Sequence, residues 1–240
     1  MFNKKQILVP VDFSDQSLIA VSQSYNIARF HNCSLTLLYV IYNDFMGKLK
    51  SFFTSDVEQA EKMKADVRLK LEELGEIVKR ESGLSVTTLV AEGSVHDEIV
   101  NTANMIDAAF IIMGTNGANN FTKKFIGSNA WRVINEAPCP VISIKGTEHT
   151  KGCKRILLPL DITRESRDKI SKAIELANYF NSEIALLSIH ESDDEFVVNK
   201  LERQMQQALE FIASQGIKAT GEMLKSSELG KAVIDYAQQT

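Results

Sequence analysis

Glycines at three spaced positions in the middle of the chain carry the clearest signal for ligand chemistry. They follow an apolar segment over 108–113 and precede a helical pattern over 129–135: Gly114, Gly117 and Gly127, with Ser128 directly after the last. Glycine lets backbone N–H groups approach a phosphate, and the first N–H groups of a helix have no intrahelical partner. Lys123 and Lys124 could add positive charge. The spacing suits a phosphate-binding loop, and it equally suits an ordinary turn between a strand and a helix.

The elements that must hold such a loop begin with the first segment of the chain. Residues 6–12 are short, apolar and rich in β-branched side chains, which is typical of a buried strand. Ser14 is a suitable N-cap for the helix that follows. One face of that helix should pack on the sheet, and it is formed by residues three and four positions apart: Leu18, Val21, Ser22, Tyr25, Ala28 and Arg29.

Strand and helix patterns then alternate through the glycine segment and beyond it. We predict strands over 33–40, 85–90, 108–113 and 138–144, and helices over 56–81, 95–104 and 129–135, the first of these helices ended by Gly83. Buried strands that alternate with helices favour an α/β fold, a parallel sheet covered on both faces. Ligands bind such sheets beyond the carboxyl ends of the strands, where Asp12, Val40 and Gly114 would meet.

The pattern of the first strand returns later in the chain. Residues 155–161 repeat 6–12 with a shift of 149 positions, and 177–187 repeat 28–38 with the same shift. Similarity at a fixed spacing indicates an internal duplication. The second copy stops where its fourth strand should begin, so it lacks the phosphate loop. The expected division is a nucleotide-binding domain over 1–145, a linker over 146–151 and a second, truncated copy over 152–240.

Composition narrows the class of protein. The chain of 240 residues is 44% hydrophobic and 24% charged, as in an ordinary globular protein, and its net charge of −4 does not suit a nucleic-acid binder. No apolar run approaches the roughly 20 residues that span a bilayer, and no signal peptide is visible, so we expect no membrane partner and a cytoplasmic location. The cysteines, Cys33, Cys139 and Cys153, are expected to be thiols rather than zinc ligands.

These motifs together resemble the universal stress protein family. The strand ending in VPVDFS (9–14), its tandem repeat, and the spacing Gly114-x2-Gly117-x9-Gly127-Ser128 match the G-x2-G-x9-G-[S/T] signature of the ATP-binding members. The resemblance covers the first copy and the second as far as it extends. It implies an open five-stranded parallel sheet of strand order 3-2-1-4-5, of the adenine nucleotide α-hydrolase-like kind, with ATP at the carboxyl edge.

The resemblance also assigns residues to the nucleotide. They are Pro10 and Val11 at the adenine, Asp12 near the adenosine, Val40 through its backbone, Met113 and Gly114 beside the ribose and phosphates, and Gly117, Gly127, Ser128 and Asn129 around the phosphates. Two alternatives stay open: Asp12 could be a turn residue before Ser14, and Ser128 could be a simple N-cap. Asp161, the counterpart of Asp12, is interpreted as a relic of the fold, and His96 as a surface or packing residue.

The resemblance implies an ATP-binding stress-response regulatory protein, with Mg²⁺ as an ion that the phosphates could carry. The alternatives are a nucleotide-independent interaction module, a slow ATPase and an adenylyl-transferring enzyme. The sequence shows no pattern for an activated nucleophile or a general base, and no Walker A motif, so no catalytic residue is assigned. In this family the fifth strands commonly pair across a dimer. We therefore expect a homodimer through Val141–Ile144, with the two copies also packing together within the chain.

Overall fold

The computed structural model describes residues 6–42, 57–115, 127–145, 153–161 and 165–239. They belong to two compact units, Met1–Glu148 and His149–Thr240. The linker expected over 146–151 lies outside the described residues. Within the described ranges, no helix combines the length and the apolar character that crossing a bilayer requires.

The first unit is built around a parallel sheet. Its elements are β1 (Gln6–Pro10), α1 (Asp15–His31), β2 (Ser34–Tyr42), α2 (Val57–Ser82), β3 (Val86–Gly93), α3 (Val95–Met105), β4 (Phe110–Gly114), α4 (Ser128–Glu136) and β5 (Val141–Ile144). The strands lie in the order β3-β2-β1-β4-β5, and every described pair is parallel. The predicted strand order 3-2-1-4-5 is confirmed.

Helices cover both faces of this sheet because its central strands are apolar on both sides. Ile7 and Val9 of β1 face α1 and α2, where they pack with Leu71 of α2. Leu8, the residue between them, faces α3 and α4 and packs with Ile99. Successive side chains of a strand point to opposite faces, so a strand buried on both sides reads as a continuous apolar run. This is the reason that the sequence of β1 identifies a central strand.

The packing face of α1 differs from the predicted one. Leu18 is 38% exposed, whereas Ser17 and Ser24 are buried. The Ser24 hydroxyl donates to the carbonyl oxygen of Val21 at 2.6 Å, so burial leaves its polar group satisfied. Small side chains on this face allow α1 to approach β4 closely. The expected stripe is confirmed at Val21 and Ala28, which are buried, and it is wrong at Leu18, which is exposed while Ser17 beside it is buried.

The second unit contains a smaller parallel sheet. Its elements are β6 (Arg155–Leu160), α5 (Glu165–Phe180), β7 (Glu183–His190), α6 (Glu195–Ser214), β8 (Ala219–Lys225) and α7 (Leu229–Gln239), with the strands in the order β6-β7-β8. The pairing Gln6↔Ser34 of the first unit has its counterpart in Arg155↔Glu183, a shift of 149 at both positions. Asn32 and Asn181, also 149 apart, both end their helices in the left-handed region, with φ of 52° and 54°.

In each unit, the helix that precedes the third strand packs on that strand with a glycine on one side of the contact. In the first unit the glycine is on the helix: a Cβ on Gly75 of α2 would lie 2.8 Å from Cγ2 of Thr88 in β3. In the second unit it is on the strand: a Cβ on Gly221 of β8 would lie 2.5 Å from Sδ of Met205 and 3.1 Å from Cδ1 of Leu209, both in α6. Thr88 pairs with Leu37 of β2, and Gly221 pairs with Leu186 of β7. Leu37 and Leu186 are 149 positions apart, so Thr88 and Gly221 occupy corresponding places in the two sheets.

The three cysteines are thiols, as expected. Cys33 directly precedes β2 and is buried, and this burial raises the pKa of its thiol above the usual value. The thiolate is the reactive form of cysteine, so the Cys33 thiol is protected both by its surroundings and by its protonation state. Cys139 and Cys153 are partly exposed.

Candidate functional site

A cavity of about 490 Å³ lies at the carboxyl edge of the first sheet. Nine of the ten residues that the sequence assigned to a nucleotide line it: Pro10, Val11, Asp12, Val40, Met113, Gly114, Gly127, Ser128 and Asn129. The tenth, Gly117, lies outside the described residues, as do Lys123 and Lys124. The volume falls in the range of about 300–1,000 Å³ that small-molecule and cofactor sites occupy.

The cavity opens because β1 and β4 part at their carboxyl ends. Their register covers only Ile7↔Phe110 and Leu8↔Ile111, whereas β4 continues beside β5 as far as Gly114. The N–H of Val11, the residue that follows β1, donates to the carbonyl oxygen of Leu38 in β2. Backbone groups alternate along a strand, so the nitrogen of Pro10 faces β4. Proline has no N–H to donate, and the β1–β4 ladder cannot continue through it.

One wall of the cavity offers backbone hydrogen-bonding groups of β2. The last contact between β1 and β2 is the N–H of Val11 donating to the carbonyl oxygen of Leu38 at 2.8 Å. Because alternate residues of a strand direct their backbone groups to the same side, the N–H and C=O of Val40 face the side of β2 where β1 has already ended. A planar ligand edge with complementary donors and acceptors could pair with Val40 there.

Asp12 both lines the cavity and shapes the turn that leads into α1. Its Oδ1 accepts the backbone N–H of Ser14 at 3.0 Å and also the Ser14 hydroxyl. Ser14 is the N-cap of α1, and its Oγ accepts the N–H of Ser17 at 3.3 Å. The predicted cap is confirmed. The alternative role of Asp12 as a turn residue is present in the structure, and it coexists with a position on the cavity wall.

Phe13, between Asp12 and Ser14, has a left-handed backbone with φ of 60°. A bulky residue seldom adopts this conformation, which costs of order 1 kcal/mol or more, so the surroundings must hold it. Its ring packs against Tyr39 of β2, with the centroids 5.3 Å apart. The aromatic pair therefore fixes the turn that carries Asp12.

The opposite end of the cavity is formed by the start of α4. Its first intrahelical hydrogen bond runs from the N–H of Trp131 to the carbonyl oxygen of Gly127, so the N–H groups of Ser128, Asn129 and Ala130 have no helical acceptor. Among the residues that the structure describes, no side chain caps this end of α4, and its first turn contains no acidic residue. These N–H groups and the helix dipole attract an anion.

The alternative that Ser128 is the N-cap is wrong, because the N-cap is Gly127 and Ser128 is the first helical residue. Gly127 also closes the loop that precedes it. Its N–H donates to the carbonyl oxygen of Thr115 at 2.8 Å, and the N–H of Thr115 donates to Ile144 of β5 at 3.0 Å. The end of β4 and the start of α4 are thereby held together, which sets the distance between the two sides of the cavity.

Gly114 has a steric role at this edge. A Cβ at this position would lie 2.9 Å from the backbone carbon and oxygen of Gln16 in the first turn of α1. Those atoms belong to the main chain and cannot rotate away. Glycine at the end of β4 is therefore required for α1 to pack on the sheet, independently of any ligand.

Several cavity residues were not found from the sequence: Ser14, Ser17, Leu38, Tyr39, Tyr42, Val95, Ile99, Thr115 and Ala130. Two signals could have found some of them. Val95 and Ile99 are one helical turn apart at the start of a predicted helix, and Thr115 directly follows Gly114. Tyr42 was missed because β2 continues two residues beyond its predicted end at 40.

His96, at the start of α3, has partners that its sequence position did not suggest. Its Nδ1 lies 2.9 Å from Oγ of Ser94 and its Nε2 lies 3.0 Å from a carboxylate oxygen of Asp97. With Glu136 of α4, the ligand atoms of His96 and Asp97 lie within 4.8 Å of one another. Both carboxylates are exposed, and such groups are common at surfaces without an ion, so we infer no metal site from them.

The fold and this cavity define the first unit as a doubly wound α/β protein that offers a ligand site at the carboxyl edge of its sheet. The chain belongs to the universal stress protein family, whose family model matches residues 4–145. The universal stress protein MJ0531 of Methanocaldococcus jannaschii is 32% identical over 143 residues, which cover 59% of this chain and 82% of that protein. The predicted family is confirmed.

Two further comparisons agree with this assignment. The universal stress protein Sll1654 of Synechocystis is 29% identical over 140 residues, covering 58% of this chain and 85% of that protein. The crystal structure of a universal stress protein from Archaeoglobus fulgidus has a TM-score of 0.76 and covers 98% of this chain and 81% of its own, at 18% identity. At that identity the likeness shows the fold.

Proposed function

We propose that the first unit binds ATP in the cavity at the carboxyl edge of its sheet, and that the protein is a nucleotide-dependent regulator within the stress response. The observation that carries the proposal is the convergence of three features on one cavity. They are the open backbone of Val40, the Asp12 carboxylate and the uncapped start of α4. Each suits a different part of a nucleotide.

The base and the sugar fit the end of the cavity near β1 and β2. The open N–H and C=O of Val40 can pair with the donor and acceptor on the edge of an adenine ring, while Val11 and Ile99 give apolar contact to its faces. Asp12 stands at the end of β1, where a ribose would follow the base. A carboxylate accepts hydrogen bonds from sugar hydroxyls.

The phosphates fit the other end, at α4. The N–H groups of Ser128, Asn129 and Ala130 lack helical acceptors, and the Ser128 hydroxyl adds a further donor. The spacing Gly114-x2-Gly117-x9-Gly127-Ser128 supports this placement, although Gly117 lies outside the described residues. Mg²⁺ would be held mainly by the phosphates, since this ion keeps several waters and needs few protein ligands.

The test is nucleotide analysis of the protein purified without added nucleotide, followed by calorimetric titration with ATP and Mg²⁺. We expect one ATP per chain. The double variant Gly127→Ala with Ser128→Ala should weaken binding, because it narrows the approach to the helix start and removes the hydroxyl. The matched control is Gly230→Ala with Ser226→Ala in the second unit, which should bind as the wild type does.

Absence of co-purified nucleotide together with absence of heat on titration would contradict the proposal. It would favour an interaction module that works without nucleotide. Turnover is a separate measurement: release of phosphate or pyrophosphate from bound ATP would identify a slow ATPase or an adenylyl-transferring enzyme at the same site.

We also propose that the second unit is a shorter copy of the first and that each chain therefore has one nucleotide site. The equal registers of the β1–β2 and β6–β7 pairs and the matching left-handed Asn32 and Asn181 support this relation. The second unit has Asp161 at the position of Asp12. In the described part of the second unit, the sheet ends at β6 and has no strand in the position of β4. A stoichiometry of two ATP per chain would overturn this proposal.

Finally, we propose that two chains associate through β5, the edge strand of the first sheet. The N–H of Thr115 donates to Ile144, and that of Ile111 donates to Pro140, so the N–H of Ser143 points away from β4. Trp131 of α4, the helix that precedes β5 in the chain, is 60% exposed. An open strand edge favours pairing with another strand.

Light scattering after size exclusion at micromolar concentration should give the mass of a dimer. Ser143→Pro removes the outward N–H and leaves the ladder with β4 in place, so it should give a monomer. Ser143→Ala keeps the N–H and should remain dimeric. A wild-type protein that is monomeric under these conditions would refute the association.

A further inference from the structure

The second unit has a cavity that differs in place and in chemistry from the one in the first unit. It has a volume of about 270 Å³ and lies beside α5 and α6, between these helices and the ends of β6 and β7. Its walls are mainly apolar, including Leu160, Ile170 and Met205. Ser188, Gln204 and Asp161 bring polar atoms to it.

The cavity follows from a change at one strand position. Ser188 of β7 corresponds to Tyr39 of β2, because the two strands have the same register with their neighbours, shifted by 149. Both residues belong to the helix-facing side of their strand, on which Leu37 and Leu186 are also buried. In the first unit this place is filled by the Tyr39 ring, packed against Phe13. In the second unit a serine leaves it open.

A second exchange enlarges the same space. Met205, Ala208 and Ile212 of α6 repeat the spacing of Leu71, Leu74 and Val78 of α2, and both sets pack on their sheet. Ala208, which lines the cavity, thus stands where the first unit has a leucine. Two large side chains are replaced by small ones on facing elements, and nothing in the described residues takes up the volume.

Of two polar side chains that line the cavity, Ser188 makes a hydrogen bond to a described residue and the oxygen of Gln204 does not. The Ser188 hydroxyl donates to the carbonyl oxygen of Leu160 at 3.2 Å. The side-chain oxygen of Gln204 is buried, and among the residues that the structure describes it has no hydrogen-bond partner. A buried acceptor of this kind costs about 1–3 kcal/mol unless a donor reaches it. This oxygen has no exposed surface, so a donor group in the cavity reaches it only after the Gln204 side chain turns.

We propose that this cavity is a binding site for a small neutral aromatic molecule of one ring that carries a hydroxyl group, of the alkylphenol class. The ring would occupy the volume that the Tyr39 side chain fills in the first unit, and the hydroxyl would donate to Gln204 once this side chain has turned toward the cavity. A dry cavity of about 150 Å³ can hold benzene, so about 270 Å³ accommodates one ring with a short substituent. A charged ligand would lose its hydration against these apolar walls.

The probe for the test is 4-ethylphenol, which is close to a tyrosine side chain in shape. Saturable binding to the full chain should be seen by ligand-observed NMR and by calorimetry. Ser188→Tyr restores the ring of the first unit and should abolish binding, with an unchanged or higher melting temperature. Ala208→Leu fills the cavity from the opposite side and should also abolish binding, so the test does not depend on one variant folding.

Ser214→Tyr is the matched control, since it makes the same exchange at an exposed position of α6 and should bind 4-ethylphenol as the wild type does. Saturating ATP should leave the affinity for the phenol unchanged, because the nucleotide is proposed to occupy the first unit. Displacement by ATP, undiminished binding by folded Ser188→Tyr and Ala208→Leu, or no saturable binding by the wild type would each overturn the proposal.

Discussion

Gly114→Ala should destabilise the first unit and weaken nucleotide binding together. The added Cβ would lie 2.9 Å from backbone atoms of Gln16, so α1 must shift away from β4. Overpacking of this kind typically costs about 1–3 kcal/mol. The shift would also move the turn that carries Asp12. The measurement is urea unfolding followed by tryptophan fluorescence, which reports on the first unit because Trp131 is the one tryptophan of the chain.

The matched control for this prediction is Gly230→Ala in α7. Apart from the chain neighbours and the backbone of α7, no heavy atom of the described residues lies within 4 Å of a Cβ built there, and alanine favours a helix more than glycine does by about 1 kcal/mol. The urea concentration at which this variant unfolds, followed by circular dichroism, should be the same as for the wild type or slightly higher. If Gly114→Ala unfolds at the same urea concentration as the wild type, α1 does not depend on a glycine at this contact.

Asp12→Asn should weaken ATP binding by roughly tenfold to a hundredfold, as expected for the loss of a hydrogen bond to a charged group. Asparagine keeps an oxygen that can accept from Ser14, so the turn before α1 should persist. The loss would therefore report on the charge that faces the ribose and not on the fold. Calorimetric titration gives the affinity, and an unchanged melting temperature without ATP verifies the turn.

The duplicated sequence provides the control for this experiment. Asp161→Asn makes the same exchange at the matching position of the second unit and should leave ATP binding unchanged. An increase in affinity for Asp12→Asn would also be informative, because it would place the carboxylate beside the phosphates and contradict its assignment to the sugar.

Much of the fold could be predicted because the strands of a parallel sheet are buried on both faces and therefore have continuous apolar sequences. The runs at 7–11 and 108–113 are apolar throughout, which identifies strands covered on both faces. Gly83 was predicted to end α2, and it does so with a left-handed φ of 69°. The ends of β2 and β3 were less accurate, since the two strands continue to pair with each other beyond the predicted ends at 40 and 90, as far as Tyr42 and Gly93.

The inner face of α1 could not be predicted from apolar periodicity. That method ranks Leu18 above Ser17, but the first turn of α1 lies so close to β4 that a Cβ on Gly114 would meet the Gln16 backbone, and it is Ser17 that is buried there. The left-handed Phe13 is equally hidden from the sequence. Its conformation depends on a ring contact with Tyr39, a residue that is 26 positions away along the chain.

For the candidate site, sequence reasoning identified residues that follow strands and glycines, and it overlooked those reached through tertiary packing. Val95 and Ile99 contribute to the cavity because α3 crosses its rim, a fact that depends on the packing of α3 and α4. The resemblance to a family supplied the roles of Asp12 and Val40. The backbone geometry then gives a physical reason for the role of Val40, because β1 ends before it.

Gly75 on the helix of the first unit and Gly221 on the strand of the second unit bear on how the chain reaches its native state. Two similar segments joined in one polypeptide can mispair while they fold. If α2 docked on β8, Gly75 would face Gly221 and leave a void; if α6 docked on β3, Leu209 would meet Thr88 at a distance suited to a glycine. Both wrong partnerships are less stable than the two correct ones. The small residue is on the helix in the first unit and on the strand in the second. Each strand therefore fits the helix of its own unit better, which disfavours mispairing between the two related units during folding.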